Sequence, residues 1–291
     1  MSLGLANIAK IIFAMTNSKE LFRDLVSKVV LPESKEEIHS IIYLLLENKL
    51  GLDRKSIMSE TEVNVDPSYF DEHINRINSE EPIQYILEEA EFYGRRFKVN
   101  ASVLIPRPET ELLVKEVVNA SIRSPKILDV GTGSGCIAIT LALEISNSKV
   151  TGIDVSDDAL AMARANALKN NADVEFKLKD ILQVIPDVVD LDVLVSNPPY
   201  ITQSERSLMK RNVLDYEPSL ALFVSNDDSL LFYRAIAKQG LTSLKPGGLV
   251  FVEINEKFGR ETTDLLTGFG YHSIEIIKDM DSKDRIIKAT R

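Results

Sequence analysis

A glycine-rich turn stands between an apolar run typical of a buried strand and a stretch with helical periodicity. It reads Asp129-Val130-Gly131-Thr132-Gly133-Ser134-Gly135. Glycines at such a junction let the backbone approach a ligand closely at the N-terminus of a helix. A dinucleotide fingerprint needs glycines at its first, third and sixth positions, whereas these stand at the first, third and fifth, so NAD fits poorly.

An acidic residue, Asp154, ends the next predicted strand. A carboxylate in that place accepts hydrogen bonds from ribose hydroxyls in doubly wound nucleotide folds. Its alternative role is to cap the helix that follows, but Ser156 or Asp157 suits that role better. The turn and Asp154 together predict a nucleoside site. We assign to this site Asp129, Gly131, Thr132, Gly133, Ser134, Gly135 and Asp154.

Asp180 and Ile181 follow the third predicted strand and extend this site. The Asp180 carboxylate could bind an adenine amino group while Ile181 packs on the base. In the alternative, Asp180 is a turn residue whose carboxylate accepts hydrogen bonds from nearby backbone amides.

The most specific signal is Ser196-Asn197-Pro198-Pro199-Tyr200, at the carboxyl end of the fourth predicted strand. Open α/β sheets bind ligands at that edge. The prolines fix φ and remove two N–H donors, so the loop is rigid and offers the Asn197 side-chain oxygen and the Pro198 carbonyl as acceptors. Two acceptors at a fixed spacing suit a planar NH2 group. The alternative is a rigid exit turn in which Asn197 bonds the backbone.

From about residue 125, short β-branched runs alternate with helical stretches, which indicates repeated βα units around a parallel sheet. The predicted strands are Lys126–Val130, Val150–Val155, Val174–Leu178, Asp192–Ser196, Leu249–Ile254, Ser273–Lys278 and Arg285–Thr290. The predicted helices are Cys136–Ile145, Asp158–Asn170, Ser229–Leu244 and Lys257–Leu266. The last two strands leave no room for a crossover helix, so we predict an antiparallel hairpin at one sheet edge.

Before residue 85, apolar residues recur at helical spacing, which predicts a small all-α domain. One predicted helix carries Leu5, Ile8, Ala9 and Ile12. A second begins at a Ser34–Glu37 capping box and ends at Gly51, and shorter helices begin at Asp53 and at Asp66. In the segment Glu81–Glu111, Pro106 and Pro108 exclude a helix until after Pro108, so a short β-ribbon linker is expected there that folds back over the ligand face of the C-terminal domain.

Composition excludes several classes of protein. The chain has 291 residues, a formal net charge of −10 and a single cysteine, Cys136, which has no basic neighbour to ionise it. The excess of acidic residues disfavours direct binding to nucleic acid. The three histidines are far apart in the sequence, so we expect no metal site. We expect no membrane-spanning segment, no secretory leader and a reducing, cytoplasmic setting.

The glycine turn, Asp154 and the Asn197–Tyr200 loop resemble those of class I S-adenosylmethionine-dependent methyltransferases of amino groups. In these enzymes the Asn-Pro-Pro-aromatic loop serves DNA adenine and protein glutamine alike, so it leaves the acceptor open. Longer strings narrow the resemblance to bacterial release-factor glutamine methyltransferases, the PrmC/HemK family. They are Glu81–Leu87, Glu91–Gly94, Ile105–Glu111, Tyr216–Leu222 and Leu244–Gly248.

This resemblance implies a Rossmann-like, mostly parallel seven-stranded sheet and methyl transfer to the glutamine of the Gly-Gly-Gln motif in class I release factors. It implies a substrate-recognition domain at 1–85, a β-ribbon linker at 86–110 and a methyltransferase domain at 111–291. Asn197 and Pro198 would hold the amide hydrogens, Tyr200 would pack on the amide plane, and Asn197 would also face S-adenosylmethionine. The implied substrate-binding residues are Asn197, Pro198, Pro199, Tyr200 and Arg107.

The Arg107 segment would roof the donor site, unless Arg107 merely pairs with Glu109 or Glu111. Glu88, Asn255 and Phe258 depart from the family pattern, Glu88 and Asn255 replacing glycines. Two other functions remain open at this point. An adenine-N6 methyltransferase should carry a basic target-recognition region, which this chain lacks, and a non-catalytic adaptor conflicts with the intact acidic and acceptor residues.

Overall fold

A computed structural model describes residues 16–183 and 188–291. The helix expected around Leu5, Ile8, Ala9 and Ile12 lies outside the described residues. The chain divides into two compact units, one ending at Leu87 and one spanning Glu88–Arg291. Within the described ranges, every helix is too short or too polar to span a membrane.

The first unit is mainly helical. Its helices are α1 (Ser18–Lys28), α2 (Lys35–Leu50), α3 (Arg54–Met58), α4 (Asp71–Asn78) and α5 (Ile83–Leu87). The two-residue strands β1 (Thr16–Asn17) and β2 (Glu62–Val63) pair antiparallel, a feature that helical periodicity did not predict. The buried core includes Leu25 of α1, Leu45 of α2 and Ile74 of α4.

Capping side chains set the ends of these helices. The Ser34 side chain accepts from Glu37 N at the start of α2, which is one half of the predicted capping box. Asp53 Oδ1 accepts from Ser56 N at the start of α3, as predicted. Asp66 caps a short 3₁₀ turn that precedes α4, where one continuous helix was expected. The prediction that the segment from Glu81 to Pro108 contains no helix was also wrong, since α5 forms directly after Pro82.

The second unit opens with an antiparallel hairpin and then alternates strands and helices. The elements are β3 (Glu89–Phe92), β4 (Arg95–Lys98), α6 (Pro108–Asn119), β5 (Lys126–Val130), α7 (Cys136–Glu144), β6 (Lys149–Asp154), α8 (Asp157–Asn170), β7 (Val174–Leu178), β8 (Leu191–Ser196), β9 (Ile201–Thr202), α9 (Arg211–Tyr216), α10 (Ser219–Leu222), β10 (Phe223–Val224), α11 (Leu231–Ser243), β11 (Leu244–Glu253), α12 (Gly259–Gly268), β12 (His272–Lys278) and β13 (Asp284–Thr290).

Among the described residues, the main sheet has seven strands in the order β12-β13-β11-β8-β5-β6-β7. The pairs from β11 to β7 are parallel, whereas β13 is antiparallel to both β11 and β12. The predicted mostly parallel sheet with an antiparallel edge hairpin is therefore confirmed. The strand order reverses between β5 and β8, where Val130 and Ser196 are register neighbours. Open α/β sheets bind ligands at such a switch point.

The central strands are buried on both faces, as parallel strands between two helical layers must be. Ile127 of β5 and Val193 of β8 belong to a core with residues of α6 and α7. Leu128 and Leu194, one position later in each strand, belong to the opposite core with residues of α11 and α12. This packing holds the ends of β5 and β8 at fixed positions.

Candidate active site

A cavity of about 290 Å³ lies at the switch point between β5 and β8. Residues from several loops at the carboxyl ends of the strands form its wall, together with residues 102–104 after the β3–β4 hairpin. The predicted site residues in this wall are Gly131, Gly133, Asp154, Asp180, Ile181, Asn197, Pro198 and Pro199. The fold thus brings part of the predicted nucleoside site and the proline-rich loop to one cavity. Among the described residues, this wall does not include Asp129, Thr132, Ser134 or Gly135.

The glycine turn presents bare backbone to this cavity. Gly131 and Gly133 have φ values of +71° and +53°, and a Cβ at either would meet no other atom within 4 Å. The N–H groups of Gly131 and Thr132 both donate to Ile153 O, each at 2.9 Å. These bonds fasten the turn to β6, so the backbone can contact a ligand without intervening side chains.

Asp129 lies beneath the turn and is fully buried. Its Oδ2 accepts from the Thr132 hydroxyl at 2.6 Å, while Oδ1 has no hydrogen-bond partner of good geometry among the described residues. Burial raises the pKa of Asp129 to about 7, although the Thr132 hydroxyl and the Ala138 N–H oppose the rise. Asp129 is not in the cavity wall among the described residues, so its side chain acts on the turn through the Thr132 hydroxyl.

Ser134 and Gly135 also lie outside the cavity wall within the described ranges. Ser134 is buried, and its carbonyl accepts from Asn166 Nδ2 of α8 at 2.9 Å. A Cβ on Gly135 would lie 2.9 Å from Ile139 Cδ1, so this glycine permits close packing of the helix that follows. Both residues therefore support the shape of the turn.

Asp154 is held by two backbone donors. Its Oδ2 accepts from Gly133 N at 2.9 Å, and its Oδ1 accepts from Ser156 N at 3.0 Å. The cap of α8 is Ser156, whose side chain accepts from Ala159 N, so the capping alternative for Asp154 was wrong. A carboxylate has about four acceptor sites. Each oxygen of Asp154 therefore keeps one for a ligand with paired hydroxyls.

Asp180 and Ile181 both line the cavity. Asp180 Oδ1 accepts from Leu182 N at 2.9 Å, which is the contact expected of a turn carboxylate. Ile181 packs against the apolar core that contains Leu128. The Asp180 side chain thus shapes its own turn and also forms part of the cavity wall.

The Asn197 loop is tied to two other segments by a chain of hydrogen bonds. Asn197 Nδ2 donates to Thr110 Oγ1 of α6 at 3.1 Å, and the Thr110 hydroxyl donates to Glu253 Oε2 at 2.7 Å. The Tyr200 hydroxyl donates to Glu253 Oε1 at 3.1 Å. Sequence reasoning missed the roles of Thr110 and Glu253. The available signals were the place of Thr110 within the Ile105–Glu111 string and a carboxylate at the end of the apolar run Leu249–Glu253.

Within the described ranges, Tyr200 and Arg107 are absent from the cavity wall. Burial raises the pKa of Tyr200 well above its usual value, and its ring packs against the apolar core. Arg107 Nη2 donates to Glu217 Oε1 at 2.5 Å, so the alternative in which Arg107 merely pairs with Glu109 or Glu111 was wrong. Glu217 precedes Pro218, Leu220 and Ala221, which line the cavity, and the Arg107–Glu217 pair therefore braces part of its wall.

The three positions that depart from the family pattern all lie outside the helices and strands. Glu88 has a φ of +56°, in the left-handed region that favours glycine. Asn255 Nδ2 donates to Glu205 Oε2 at 3.2 Å and to Tyr200 O at 3.4 Å, so Asn255 fastens the exit of the Asn197 loop. Phe258 N donates to Asn255 O at 2.9 Å in the turn before α12.

Cys136 carries no catalytic chemistry. It is buried, and burial raises the pKa of its thiol to about 12, so no thiolate forms near neutral pH. Over the described residues, no cluster of three or more His, Cys, Asp or Glu side chains could hold a metal ion.

Known proteins share this sequence and architecture. Residues 108–215 match the family model described as a methyltransferase small domain. The release factor glutamine methyltransferase of Flavobacterium psychrophilum is 42% identical over 262 residues, covering 87% of this chain and 92% of that protein. The Bacteroides thetaiotaomicron enzyme of the same name is 41% identical over 260 residues, covering 88% and 94%. The chain belongs to the release factor glutamine methyltransferase family.

Membership in the release factor glutamine methyltransferase family confirms the predicted enzyme class, an S-adenosylmethionine-dependent methyltransferase. The crystal structure of a methyltransferase from Pyrococcus furiosus shares the fold, with a TM-score of 0.50 and 20% identity over 76% of this chain and 98% of that one. The cavity suits the cofactor. Bare glycine backbone and the two remaining acceptor sites of Asp154 fit a nucleoside with ribose hydroxyls.

Proposed function

We propose that this chain transfers a methyl group from S-adenosylmethionine to the side-chain amide nitrogen of the glutamine in the Gly-Gly-Gln motif of class I release factors. The observation that carries the proposal is a shared cavity. Asn197, Pro198 and Pro199 line the same space as Gly131 and Asp154, so acceptors for an NH2 group face a nucleoside site. The names of the relatives support release factors as the acceptor.

On the donor side, the chain would bind the cofactor through backbone and carboxylates. Asp154 would accept from both ribose hydroxyls, and Asp180 would accept from the adenine amino group while Ile181 packs on the base. S-adenosylmethionine would supply a methyl carbon made electrophilic by its sulfonium sulfur. The turn at Gly131 and Gly133 would contact the rest of the molecule through its backbone.

On the acceptor side, the chemistry is demanding because the lone pair of an amide nitrogen is delocalised into its carbonyl. Asn197 Oδ1 and the Pro198 carbonyl would accept hydrogen bonds from the two N–H groups of the glutamine amide. They would thereby stabilise the positive charge that develops on its nitrogen. Pro198 and Pro199 have no N–H, so this rim offers no competing backbone donor. The neutral amide nitrogen would form its bond to the methyl carbon as the bond from that carbon to sulfur breaks, with the demethylated thioether as leaving group. Its proton would pass to water afterwards, so no general base is needed before attack.

The release factor would be the macromolecular partner, bound in part by the N-terminal domain that the sequence assigned to residues 1–85. Direct contact with nucleic acid is not part of this proposal, in keeping with the net charge of −10. A cytoplasmic setting follows from the acceptor, because release factors act on translating ribosomes.

Mass spectrometry of a release factor co-expressed with this protein tests the proposal. The expected product is a single methyl group on the Gly-Gly-Gln glutamine, absent when the Asn197→Ala variant is co-expressed. Parallel assays with labelled S-adenosylmethionine should show transfer to purified release factor and not to DNA or RNA. Transfer to nucleic acid alone would favour an adenine-N6 methyltransferase. No transfer to release factor, DNA or RNA would favour a non-catalytic adaptor.

A further inference from the structure

Glu253 is a buried carboxylate for which the proposed reaction has no direct use. It ends β11 and is 1% exposed. Its Oε2 accepts from the Thr110 hydroxyl at 2.7 Å, and its Oε1 accepts from the Tyr200 hydroxyl at 3.1 Å. Thr110 Oγ1 also lies 3.1 Å from the Asn197 amide. A single hydroxyl therefore connects Glu253 to the residue at the rim of the cavity.

The chemistry of these groups sets the direction of each hydrogen bond. An ionised carboxylate can only accept, so Thr110 must give its one hydroxyl hydrogen to Glu253. The Thr110 oxygen is then left as an acceptor, and the Asn197 atom that faces it must be the NH2 nitrogen. Asn197 Oδ1 is consequently the end of the amide that is left for a ligand.

Glu253 is ionised at neutral pH, as this order of bonds requires. Burial raises the pKa of Glu253 to about 6, and the hydroxyls of Thr110 and Tyr200 and the charge of Arg285 limit the rise. The Glu109 carboxylate acts in the opposite direction. The carboxylate form therefore dominates above about pH 6.

We propose that Thr110 and Glu253 are positioning residues that determine which end of the Asn197 carboxamide faces the acceptor nitrogen. The inference rests on the proposed function, in which Asn197 Oδ1 accepts an N–H of the substrate amide. Without the Thr110 hydroxyl, the Asn197 side chain could rotate by half a turn and present its own N–H groups. Two donors would then face each other, and the acceptor nitrogen would lose its orientation.

Thr110→Val removes the Thr110 hydroxyl at nearly constant side-chain shape, whereas Thr110→Ser keeps a hydroxyl at this position. Thr262→Val is the matched control, because Thr262 is also fully buried and its hydroxyl has no hydrogen-bond partner among the described residues. For methylation of release factor, Thr110→Val should lower kcat at least about 10-fold and leave the Kd for S-adenosylmethionine within about three-fold. Thr110→Ser and Thr262→Val should both keep kcat within about three-fold of the wild type.

NMR spectroscopy tests, without turnover, the chain of hydrogen bonds from Asn197 through Thr110 to Glu253, which we call the relay. In ¹⁵N-labelled protein, the side-chain NH2 signals of Asn197 are identified by their loss in Asn197→Ala. They should shift in Thr110→Val and stay near their wild-type positions in Thr110→Ser and Thr262→Val. This experiment reports on the hydrogen bond even if the acceptor of the methyl group is something other than a release factor.

The outcomes separate the two proposals. A folded Thr110→Val protein with unchanged Asn197 signals would overturn the positioning role of Thr110. If the wild type methylates release factor, an unchanged kcat of Thr110→Val would also overturn it. A wild-type protein that does not methylate release factor would overturn the proposed function, while the Asn197 signals would still decide whether the relay exists.

Discussion

The Arg107 guanidinium donates a hydrogen bond to the carboxylate of Glu217, which lies 110 residues further along the chain. The Glu217 side chain is only 1% exposed, and its second oxygen accepts from Ile105 N at 3.2 Å. Pro218 and Leu220, which line the cavity, follow within three residues of Glu217. The pair therefore fixes the position of one cavity-lining segment against another.

Arg107→Ala should lower the free energy of unfolding by about 1–3 kcal/mol, because it leaves Glu217 buried without its cation. Arg107 is one-third exposed, so solvent screening keeps the loss below that of a fully buried pair. The double variant Arg107→Ala, Glu217→Gln should recover part of the loss in urea unfolding. Additive costs in the double-mutant cycle would contradict a coupled pair.

The same variants separate this brace from the predicted contact between Arg107 and the substrate. Glu217→Gln keeps the guanidinium but removes the charge of its partner. If Arg107 acts only as a brace, both single variants should raise the Kd for S-adenosylmethionine and change the KM for release factor alike. A rise in that KM confined to Arg107→Ala would instead indicate a direct substrate contact.

Asp154→Asn should weaken binding of S-adenosylmethionine at least about 10-fold, equivalent to about 1.4 kcal/mol. The substituted amide places an NH2 group against either the Gly133 or the Ser156 N–H and removes one of the acceptors proposed for the ribose hydroxyls. Asp157→Asn, an exposed aspartate at the start of α8, is the control and should bind normally. Equal affinities of the two variants by calorimetry would remove Asp154 from the site.

Asp129 should make stability depend on pH. Burial raises its pKa to about 7, above the value of about 3.9 in an unfolded chain, so the native state retains the proton to higher pH. The stability that this group contributes is complete below about pH 4 and is lost as the pH rises through 7.

Asp129→Asn removes this titration. Its free energy of unfolding, relative to the wild type, should therefore increase between pH 4 and 7 by up to about 1.4 kcal/mol per pH unit and level off above pH 8. Urea unfolding of both proteins across this range is the measurement. Parallel pH curves would show that Asp129 titrates alike in the native and unfolded states.

Local patterns predicted the framework of this molecule better than its long-range contacts. Alternating βα periodicity identified the seven strands, because parallel central strands must be apolar, and nearly all predicted ends coincide with the observed ones or differ by one residue. The exception is β11, which begins at Leu244 rather than Leu249, since a register shift lets the Lys245–Gly248 segment belong to the strand. The four-residue α10 and six-residue α9 are too short to show a helical period.

In the candidate site, too, local features were predicted better than long-range contacts. The glycine turn and the proline loop were identifiable because each performs its role within a few residues. Arg107–Glu217 and Thr110–Glu253 join residues more than 100 positions apart, and no local pattern identifies such partners. Sequence also does not reveal which side of a turn a residue takes, so Asp129 was assigned to the cavity although it lies beneath the turn.

Glu88→Gly should be more stable than Glu88→Ala by about 1 kcal/mol, because a φ of +56° is unfavourable for any residue with a Cβ. The Glu88 side chain is exposed, so both variants lose little by removing it. Thermal unfolding of the two variants isolates the backbone contribution from the side chain. A more stable alanine variant would mean that the backbone at this position relaxes out of the left-handed region.

Asn197→Ala should abolish methyl transfer and leave binding of S-adenosylmethionine nearly intact. The substitution removes Oδ1, the acceptor proposed to orient the substrate amide, whereas Asp154 and the glycine turn are held by their own backbone bonds. Single-turnover assays with release factor, combined with calorimetric titration of the cofactor, measure the two effects separately. Asn119→Ala, an exposed asparagine at the end of α6, controls for loss of an amide elsewhere. If Asn197→Ala lost cofactor binding and activity together, Asn197 would serve the donor site and the proposed hold on the acceptor amide would be wrong.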